Sequence, residues 1–370
     1  MTRLPELTGL RCVAILMVVL SHAGGTLVGG YQGWLSPVRP LAGVGVQIFF
    51  VLSGFLITGI LRAEYEATGR LGLYAFYRRR VLRIWPASYA FLLVLALLTW
   101  AGQLDIGWQQ FTYAALQVWN YGAALNGLFP PAVPRLQGEW FLGHFWSLAL
   151  EEQFYWIWPP MLVLFLRTGR KAWLPLLILC IPLLRIATYF LAPRLRGQLG
   201  MMLHTGLDTI LIGCWCALRR DEIAARIRSW KHGSLWLTLA FVALVGVIPQ
   251  LGLRLGGFWT STYGVTVAAA LAGLLVVALA TRKDFWLSRL LRIRAFVFVG
   301  SISYSLYLWQ QLFLYGASPV GWGFPYNILQ AVGAACLSYW FIELPFTRMR
   351  DRPLVAQTPL SPAVKAEAAR

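Results

Sequence analysis

Long apolar segments recur along the whole chain, and polar residues gather in the short stretches between them. A helix needs about 20 mostly apolar residues to cross the hydrocarbon core of a membrane. The pattern predicts an all-α polytopic membrane protein, a bundle of about ten transmembrane helices. The predicted spans cover residues 11–28, 41–61, 84–101, 141–166, 172–191, 205–218, 233–250, 259–281, 295–315 and 324–345.

The distribution of basic residues predicts how this bundle is oriented. With the N-terminus on the cytoplasmic side, the inner segments hold 26 of the 32 Lys and Arg residues and the outer loops hold five. Cytoplasmic loops of membrane proteins carry an excess of Lys and Arg, so both termini are predicted to be cytoplasmic. We expect one transmembrane domain over residues 1–350, and a disordered cytoplasmic tail rich in Pro and Ala over residues 351–370.

Composition and charge exclude several classes of protein. Apolar residues make up 58% of the chain and charged residues only 12%, far from a soluble domain. The net charge of +18 would suggest nucleic acid in a soluble protein. Here the basic residues lie between spans, so we expect membrane lipid and a polyanionic small molecule as partners, and no nucleic acid. The five cysteines lie in apolar segments, and their spacing predicts neither a metal site nor a disulfide.

Two ionisable residues lie in or beside the first apolar segment, Arg11 and His22. Helical geometry places them on nearly one face, roughly 16 Å apart along the axis. An ionisable residue inside a span is a candidate for function, and an apolar surrounding would keep the imidazole neutral and able to act as a general base. The alternatives are a structural histidine bonded to a neighbouring span, and an arginine that anchors the helix at the interface.

A basic segment after the second span contains Arg79, Arg80 and Arg83. Arg80 and Arg83 share a helical face, and guanidinium groups suit phosphates because they donate in a planar fork. The alternative is ordinary positive-inside topology with contact to lipid headgroups. Pro86 is predicted to lie in the first turn of the third span, where its missing N–H matters little.

Two adjacent carboxylates, Glu151 and Glu152, are predicted near the outer end of the fourth span, with Trp146 and Tyr155 beside them. Adjacent acids in an apolar span need partners or a wet cavity. They could orient His22 or bind sugar hydroxyls, while aromatic faces suit sugar rings; an aromatic belt with hydrated carboxylates is the alternative. His204 and Asp208, four residues apart, are predicted to form a local structural pair.

Six segments in order carry a resemblance to a known family: the Arg11–His22 spacing, FFVLSGFLI, RRRVLRIWP, WSLALEEQFYWIWP, SISYSLYLW and FIELPF. Over roughly residues 4–346 the chain resembles the membrane acyltransferase-3 family of bacterial cell-surface carbohydrate O-acyltransferases. The resemblance implies a multi-pass protein of the bacterial inner membrane. It would transfer an acyl group, usually acetyl, from cytoplasmic acyl-coenzyme A to a glycan hydroxyl on the far side.

The resemblance also implies roles for particular residues. We expect catalytic roles for Arg11, His22 and Glu151. Acyl-coenzyme A, the donor substrate, would bind at Arg79, Arg80 and Arg83. The glycan acceptor would bind at Glu152, Tyr155 and Trp146. No metal is expected, and polysaccharide-assembly proteins are possible partners. The acceptor glycan, the length of the acyl group, and direct transfer against an acyl-enzyme intermediate stay open.

The chain departs from the family pattern at two positions. Relatives often have a histidine where this chain has Gln310, which predicts that His22 is less supported. Relatives often have an arginine where this chain has Gly206, which weakens the case for Asp208 as half of an ion pair. The rival to an enzyme is a transporter of lipid or polysaccharide. The sequence shows no inverted repeat or paired broken helices, which counts against the transporter.

Overall fold

The computed structural model describes residues 4–27, 36–128, 137–169, 173–316 and 318–350, and all regular structure in these ranges is helical. The tail at 351–370 lies outside them. The first eight helices are α1 Pro5–Gly24, α2 Leu41–Thr68, α3 Leu73–Trp100, α4 Trp108–Ala115, α5 Gly122–Leu128, α6 Phe145–Thr168, α7 Trp173–Leu191 and α8 Leu203–Leu218. The remaining nine are α9 Arg220–Ser229, α10 Gly233–Val242, α11 Ile248–Ser261, α12 Tyr263–Thr281, α13 Trp286–Leu291, α14 Arg294–Ser301, α15 Ser303–Leu314, α16 Tyr326–Ser338 and α17 Leu344–Arg350.

Within the described ranges, eight helical segments are long and apolar enough to cross a membrane. They are Pro5–Gly24, Leu41–Thr68, Leu73–Trp100, Trp173–Leu191, Pro193–Leu218, Gly233–Ser261, Tyr263–Thr281 and Tyr326–Met349. Each overlaps a predicted span, although several differ from it in their bounds, and the prediction of an all-α polytopic membrane protein is confirmed. Short π-helical stretches join α10 to α11 and α16 to α17 without breaking either segment. The cytoplasmic location of the termini stays a prediction.

The other two predicted spans take different forms. Residues 141–166 fall largely in α6, a continuous helix of 24 residues, whose mean hydropathy is lowered by the polar run Glu151, Glu152 and Gln153. Residues 295–315 are divided at Ile302 into α14 and α15. Helix α14 packs along α1, whereas α15 packs chiefly against α16, so the break lets the chain change its partner.

The third helix begins eleven residues earlier than predicted, at Leu73. The arginine-rich segment is therefore part of α3, where the sequence pattern alone had placed a loop. Pro86 lies in the interior of this helix, so its predicted place in the first turn is wrong. The prediction failed because the early turns of α3 are too polar to read as a span, although they pack against the bundle.

Helices α1 and α2 form the centre of the bundle. Helix α2 packs against α1, α8 and α12, and α1 also contacts α14 and α15. The contact between α2 and α8 is close because each helix presents a glycine to the backbone of the other. A Cβ added at Gly54 would collide with the carbonyl oxygen of Ile210, and one added at Gly213 would collide with that of Val51. Small residues permit this approach in membrane helices.

A buried ion pair joins α7 to α8. The Arg185 guanidinium donates to both carboxylate oxygens of Asp208, at 3.0 and 2.9 Å, and to the carbonyl oxygen of Thr205 at 2.6 Å. The hydroxyl of Thr266, on α12, donates to the same carboxylate at 2.6 Å. Both charged side chains are fully buried. The expectation that Gly206 leaves Asp208 without an ion pair is therefore wrong, because the arginine comes from a neighbouring helix.

The predicted pair of His204 and Asp208 is also wrong. The Asp208 carboxylate faces α7 and α12, as described above, and His204 Nδ1 lies 3.1 Å from the hydroxyl of Tyr121. Spacing of four residues allows such a pair on a helix, but the fully charged partner at Arg185 is the stronger attraction for a buried carboxylate.

The outer faces of the bundle are apolar, as a lipid surrounding requires. Large side chains on α3 and α7 are more than half exposed, among them Leu93, Leu97, Leu176, Leu179 and Leu183. Exposed apolar faces of this kind are typical of helices in contact with lipid rather than water. The polar chemistry of the chain is thereby confined to the interior of the bundle.

We predict that Gly54→Ala and Gly213→Ala destabilise the protein by about 1–3 kcal/mol, because an added methyl group forces α2 and α8 apart. The control is Gly333→Ala on α16, where an added Cβ meets nothing within 4 Å. Thermal unfolding of the purified protein in detergent measures the effect. Equal midpoints for the three variants would contradict the close approach of α2 and α8.

Candidate active site

Three internal cavities lie in series between α1, α2, α3, α6 and α15. The histidine cavity, of about 180 Å³, is lined by His22, His144 and Trp146 among others. The middle cavity, of about 50 Å³, is lined by residues that include Arg11 and Ser53. The arginine cavity, of about 130 Å³, is lined by residues that include Arg80 and Arg83. Each exceeds the roughly 10–15 Å³ that one water needs.

Neighbouring cavities share their walls. Val46 and Tyr307 line both the histidine and the middle cavity. Arg11, Ser53 and Glu151 are among the residues that line both the middle and the arginine cavity. The three spaces are therefore separated by single layers of side chains. A slender ligand that displaces few side chains could extend from one end of the series to the other.

Helix α1 supplies an ionisable residue to each end of this series. Arg11 and His22 lie on the same continuous helix. Arg11 lines the middle and the arginine cavity, and His22 lines the histidine cavity. The predicted common face is therefore confirmed. The Nε atom of Arg11 is buried and has no hydrogen-bond partner, so this donor is available to a ligand in the cavities.

His22 is held by α15. Its Nδ1 atom lies 2.8 Å from Oε1 of Gln310, the residue that stands where relatives often have a histidine. The Gln310 amide donates in turn to Gln311 at 3.2 Å, and the Gln311 amide donates to the carbonyl oxygen of Trp140 at 2.7 Å. The expectation that Gln310 leaves His22 less supported is therefore wrong, because the amide itself bonds the imidazole.

Glu151 has other partners than the predicted one. Its carboxylate accepts hydrogen bonds from the hydroxyls of Ser53 on α2 and Tyr155 one turn further along α6. The prediction that a carboxylate could orient His22 is wrong, because the amide of Gln310 bonds the Nδ1 atom of His22. Glu151 instead lines the middle and arginine cavities together with Arg11, where its carboxylate offsets part of the positive charge of the arginines.

Two of the three arginines that were predicted to bind the donor line the same cavity, and the third does not. Arg80 and Arg83 line the arginine cavity, and the Arg80 guanidinium lies over the ring of Tyr155, 5.5 Å from its centroid. Arg79 does not line the cavity; its guanidinium lies 3.8 Å from the carboxylate of Glu64. Arg79 is about 40° from Arg83 around the helix, so helical phase alone does not separate them; the contact with Glu64 on α2 accompanies the difference.

The predicted acceptor-binding residues are divided as well. Trp146 lines the histidine cavity and packs edge-on against Phe50. Glu152 and Tyr155 instead line the arginine cavity, which is the end predicted to receive the donor. Sequence reasoning grouped them because they are close along the chain. Helix α6 crosses the series of cavities, so its residues face different spaces at different heights.

Sequence reasoning missed His144. This residue directly precedes α6, is 4% exposed, and lines the histidine cavity with His22. Neither of its ring nitrogens has a hydrogen-bond partner, which is unusual for a buried polar group. The signal was present, because His144 lies two residues before Trp146 and the chain contains only four histidines. Across the described ranges, no group of three or more His, Cys, Asp or Glu side chains could hold a metal ion.

Comparison with known proteins identifies the family of this chain. The sequence profile of the acyltransferase-3 family, described as an acyltransferase domain, matches residues 4–342. The chain therefore belongs to the acyltransferase-3 family. No solved structure matches it.

Two relatives show how far the similarity extends. The chain is 28% identical over 375 residues to a protein of Staphylococcus aureus strain COL whose printed name begins "Putative O-acetyltransferase". It is 27% identical over 374 residues to O-acetyltransferase OatA of Staphylococcus aureus strain NCTC 8325 / PS 47. These matches cover 94% and 93% of this chain, and 58% and 57% of the relatives. The chain thus spans somewhat more than half the length of the relatives it matches.

Proposed function

We propose that the protein transfers an acyl group, most simply acetyl, from cytoplasmic acyl-coenzyme A to a hydroxyl of a cell-surface or lipid-linked glycan. The proposal places the protein in a bacterial inner membrane, with polysaccharide-assembly proteins as partners. The observation that carries it is the series of cavities, with guanidinium groups at one end and an imidazole at the other. Membership in the acyltransferase-3 family supports the reaction class.

The arginine cavity suits the phosphates of the donor substrate. Three guanidinium groups, those of Arg11, Arg80 and Arg83, line it together with two carboxylates, Glu151 and Glu152. Glu151 is already hydrogen-bonded to two hydroxyls, which spreads its charge. The remaining positive charge favours an anion, and guanidinium groups bind phosphates through paired N–H donors. In the orientation predicted from the positive-inside pattern, this end faces the cytoplasm, where acyl-coenzyme A is found.

The chemistry belongs to the other end of the series. With Nδ1 of His22 donating to Gln310, the Nε2 atom holds the lone pair. In the proposed reaction Nε2 takes the proton of the acceptor hydroxyl, and the hydroxyl oxygen attacks the carbonyl carbon of the thioester. The carbon–sulfur bond then breaks, the leaving thiolate takes the proton from the imidazolium, and the ester remains on the glycan. General-base assistance of this kind contributes roughly 10²–10⁴-fold to a rate.

The path between the two ends suits the pantetheine arm of coenzyme A, which is long, slender and mostly uncharged. The six residues of α2 that line the histidine and middle cavities recur at helical spacing, so one face of this helix forms the wall; they are Ala42, Gly43, Val46, Phe49, Phe50 and Ser53. The arm would bring the thioester to His22 while its phosphates stay at the arginines. Occupation of the path by the arm would displace water, which would otherwise hydrolyse the acyl group.

We predict that His22→Ala lowers acyl transfer by roughly 10²–10⁴-fold, because the general base is lost. Donor binding and thermal stability should stay near the values of the unmodified protein. The assay follows labelled acetyl from acetyl-coenzyme A into membrane glycan. The control is His232→Ala, an exposed histidine outside the cavities. Transfer at the normal rate by the His22 variant would exclude the catalytic role, and a protein that never cleaves the thioester would favour a transporter.

For the donor end, we predict that Arg80→Gln and Arg83→Gln each weaken acetyl-coenzyme A binding by about ten- to a hundredfold, the worth of a charge-assisted hydrogen bond. Calorimetry on the protein in lipid nanodiscs measures the dissociation constant. The matched control is Arg79→Gln, which removes the same charge from the same helix outside the cavity. If all three variants bind the donor equally well, the arginines serve only membrane topology.

The path can be narrowed without changing His22 or the arginines. An added Cβ at Gly43 meets nothing within 4 Å, so Gly43→Ala should fold and transfer normally. Gly43→Phe should fill part of the histidine cavity, lower transfer by at least about tenfold, and leave donor binding unchanged. The assays are those described for the two ends. Full activity of the phenylalanine variant would show that the thioester does not reach His22 through this space.

A further inference from the structure

The chain of amides on α15 gives His22 more than a single hydrogen bond. Its last member, the carbonyl oxygen of Trp140, is a backbone group with lone pairs only, so it can only accept. The nitrogen end of the Gln311 amide must therefore face it, at the observed 2.7 Å. With the opposite orientation, two oxygen acceptors would face each other.

This fixed end sets the direction of every bond that follows. Because Nε2 of Gln311 faces Trp140, its Oε1 faces Gln310 and must receive a proton from the Gln310 amide, 3.2 Å away. The Oε1 atom of Gln310 then faces His22, and Nδ1 must be the donor across the 2.8 Å separation. Gln310 is fully buried and lines none of the three cavities, so water has little access to the amide that joins His22 to Gln311.

We propose that Gln310 and Gln311 are positioning residues that lock His22 in the tautomer with a proton on Nδ1, so that Nε2 is always the base. The inference rests on the proposed function, in which Nε2 accepts the proton of the acceptor hydroxyl. An imidazole without this relay has no fixed tautomer, and part of its population would present an N–H where a lone pair is needed. In catalytic triads a carboxylate performs this task. Here a neutral relay, anchored on a backbone carbonyl, performs it without adding a charge to the membrane interior.

The direct test is the protonation of the two ring nitrogens of His22. Nitrogen NMR of histidine-labelled protein in nanodiscs distinguishes a protonated ring nitrogen from a bare one, and the His22→Ala variant identifies the signal among the four histidines. We expect a proton on Nδ1 and a bare Nε2 in the unmodified protein. A protonated Nε2 with a bare Nδ1 would overturn the inference.

Variants separate the relay from simple packing. Gln310→Leu removes the acceptor and should mix the tautomers and lower transfer about tenfold, the worth of one hydrogen bond. Gln311→Leu changes a residue that does not contact His22. It should mix the tautomers less than Gln310→Leu does, and its transfer rate should lie between those of Gln310→Leu and the unmodified protein. Gln310→Glu should restore the Nδ1–H tautomer and much of the rate, because either protonation state keeps an acceptor oxygen for Nδ1.

The control is Gln250→Leu, whose amide also donates to a backbone carbonyl, that of Pro37, but which lines none of the three cavities. This variant should match the unmodified protein in the tautomer of His22 and in the rate of acyl transfer. If His22→Ala retains transfer, the catalytic role of His22 in the proposed function fails, and the relay loses its purpose with it. If His22 is essential but Gln310→Leu leaves both the tautomer and the rate unchanged, only the relay is refuted.

Discussion

Hydrocarbon offers no hydrogen-bond partner, and an unpaired polar group in it costs several kcal/mol, so several polar side chains inside this bundle pair with one another. The Arg185–Asp208 pair meets the requirement by joining α7 and α8 through two hydrogen bonds. His22 meets it through Gln310. Glu151 meets it through Ser53 and its own helix. Each solution ties two elements together, so the same bonds that satisfy the polar groups also set how the helices sit.

Helix α2 shows how one element serves both packing and the site. One side of it lies against α8, where Gly54 lets the backbones approach. Val46 and Ser53, about 80–100° from Gly54 around the helix, line the cavities instead. Close packing beside the cavity wall keeps the wall rigid, which a preorganised site requires. A loose α2 would open the series of cavities to lipid or water.

Helical periodicity explains which site residues were predictable. Arg11 and His22 lie on one continuous helix, so their spacing fixes their relation whatever surrounds them. Arg80 and Arg83 share a face for the same reason, but periodicity alone does not separate Arg79 from Arg83, and only the structure shows that Arg79 lies beside Glu64. Glu152 and Tyr155 were assigned to the wrong end of the site, because the cavity that they line depends on how α6 crosses α3. His144 was missed because its closeness to Trp146 along the chain was overlooked, and its place beside His22 depends on how α6 lies relative to α1.

The sequence by itself determined the helices, their apolar faces, the family and the relative positions of residues on one helix. These follow from local hydrophobic pattern and from the fixed geometry of the backbone. Only the tertiary structure decided which residues meet across helices. His22 and Gln310 are 288 residues apart along the chain, and the partner of Asp208 came from α7 rather than from its own helix. Such pairings depend on how whole helices pack, and helix packing is fixed by the fit of many side chains at once rather than by any local pattern.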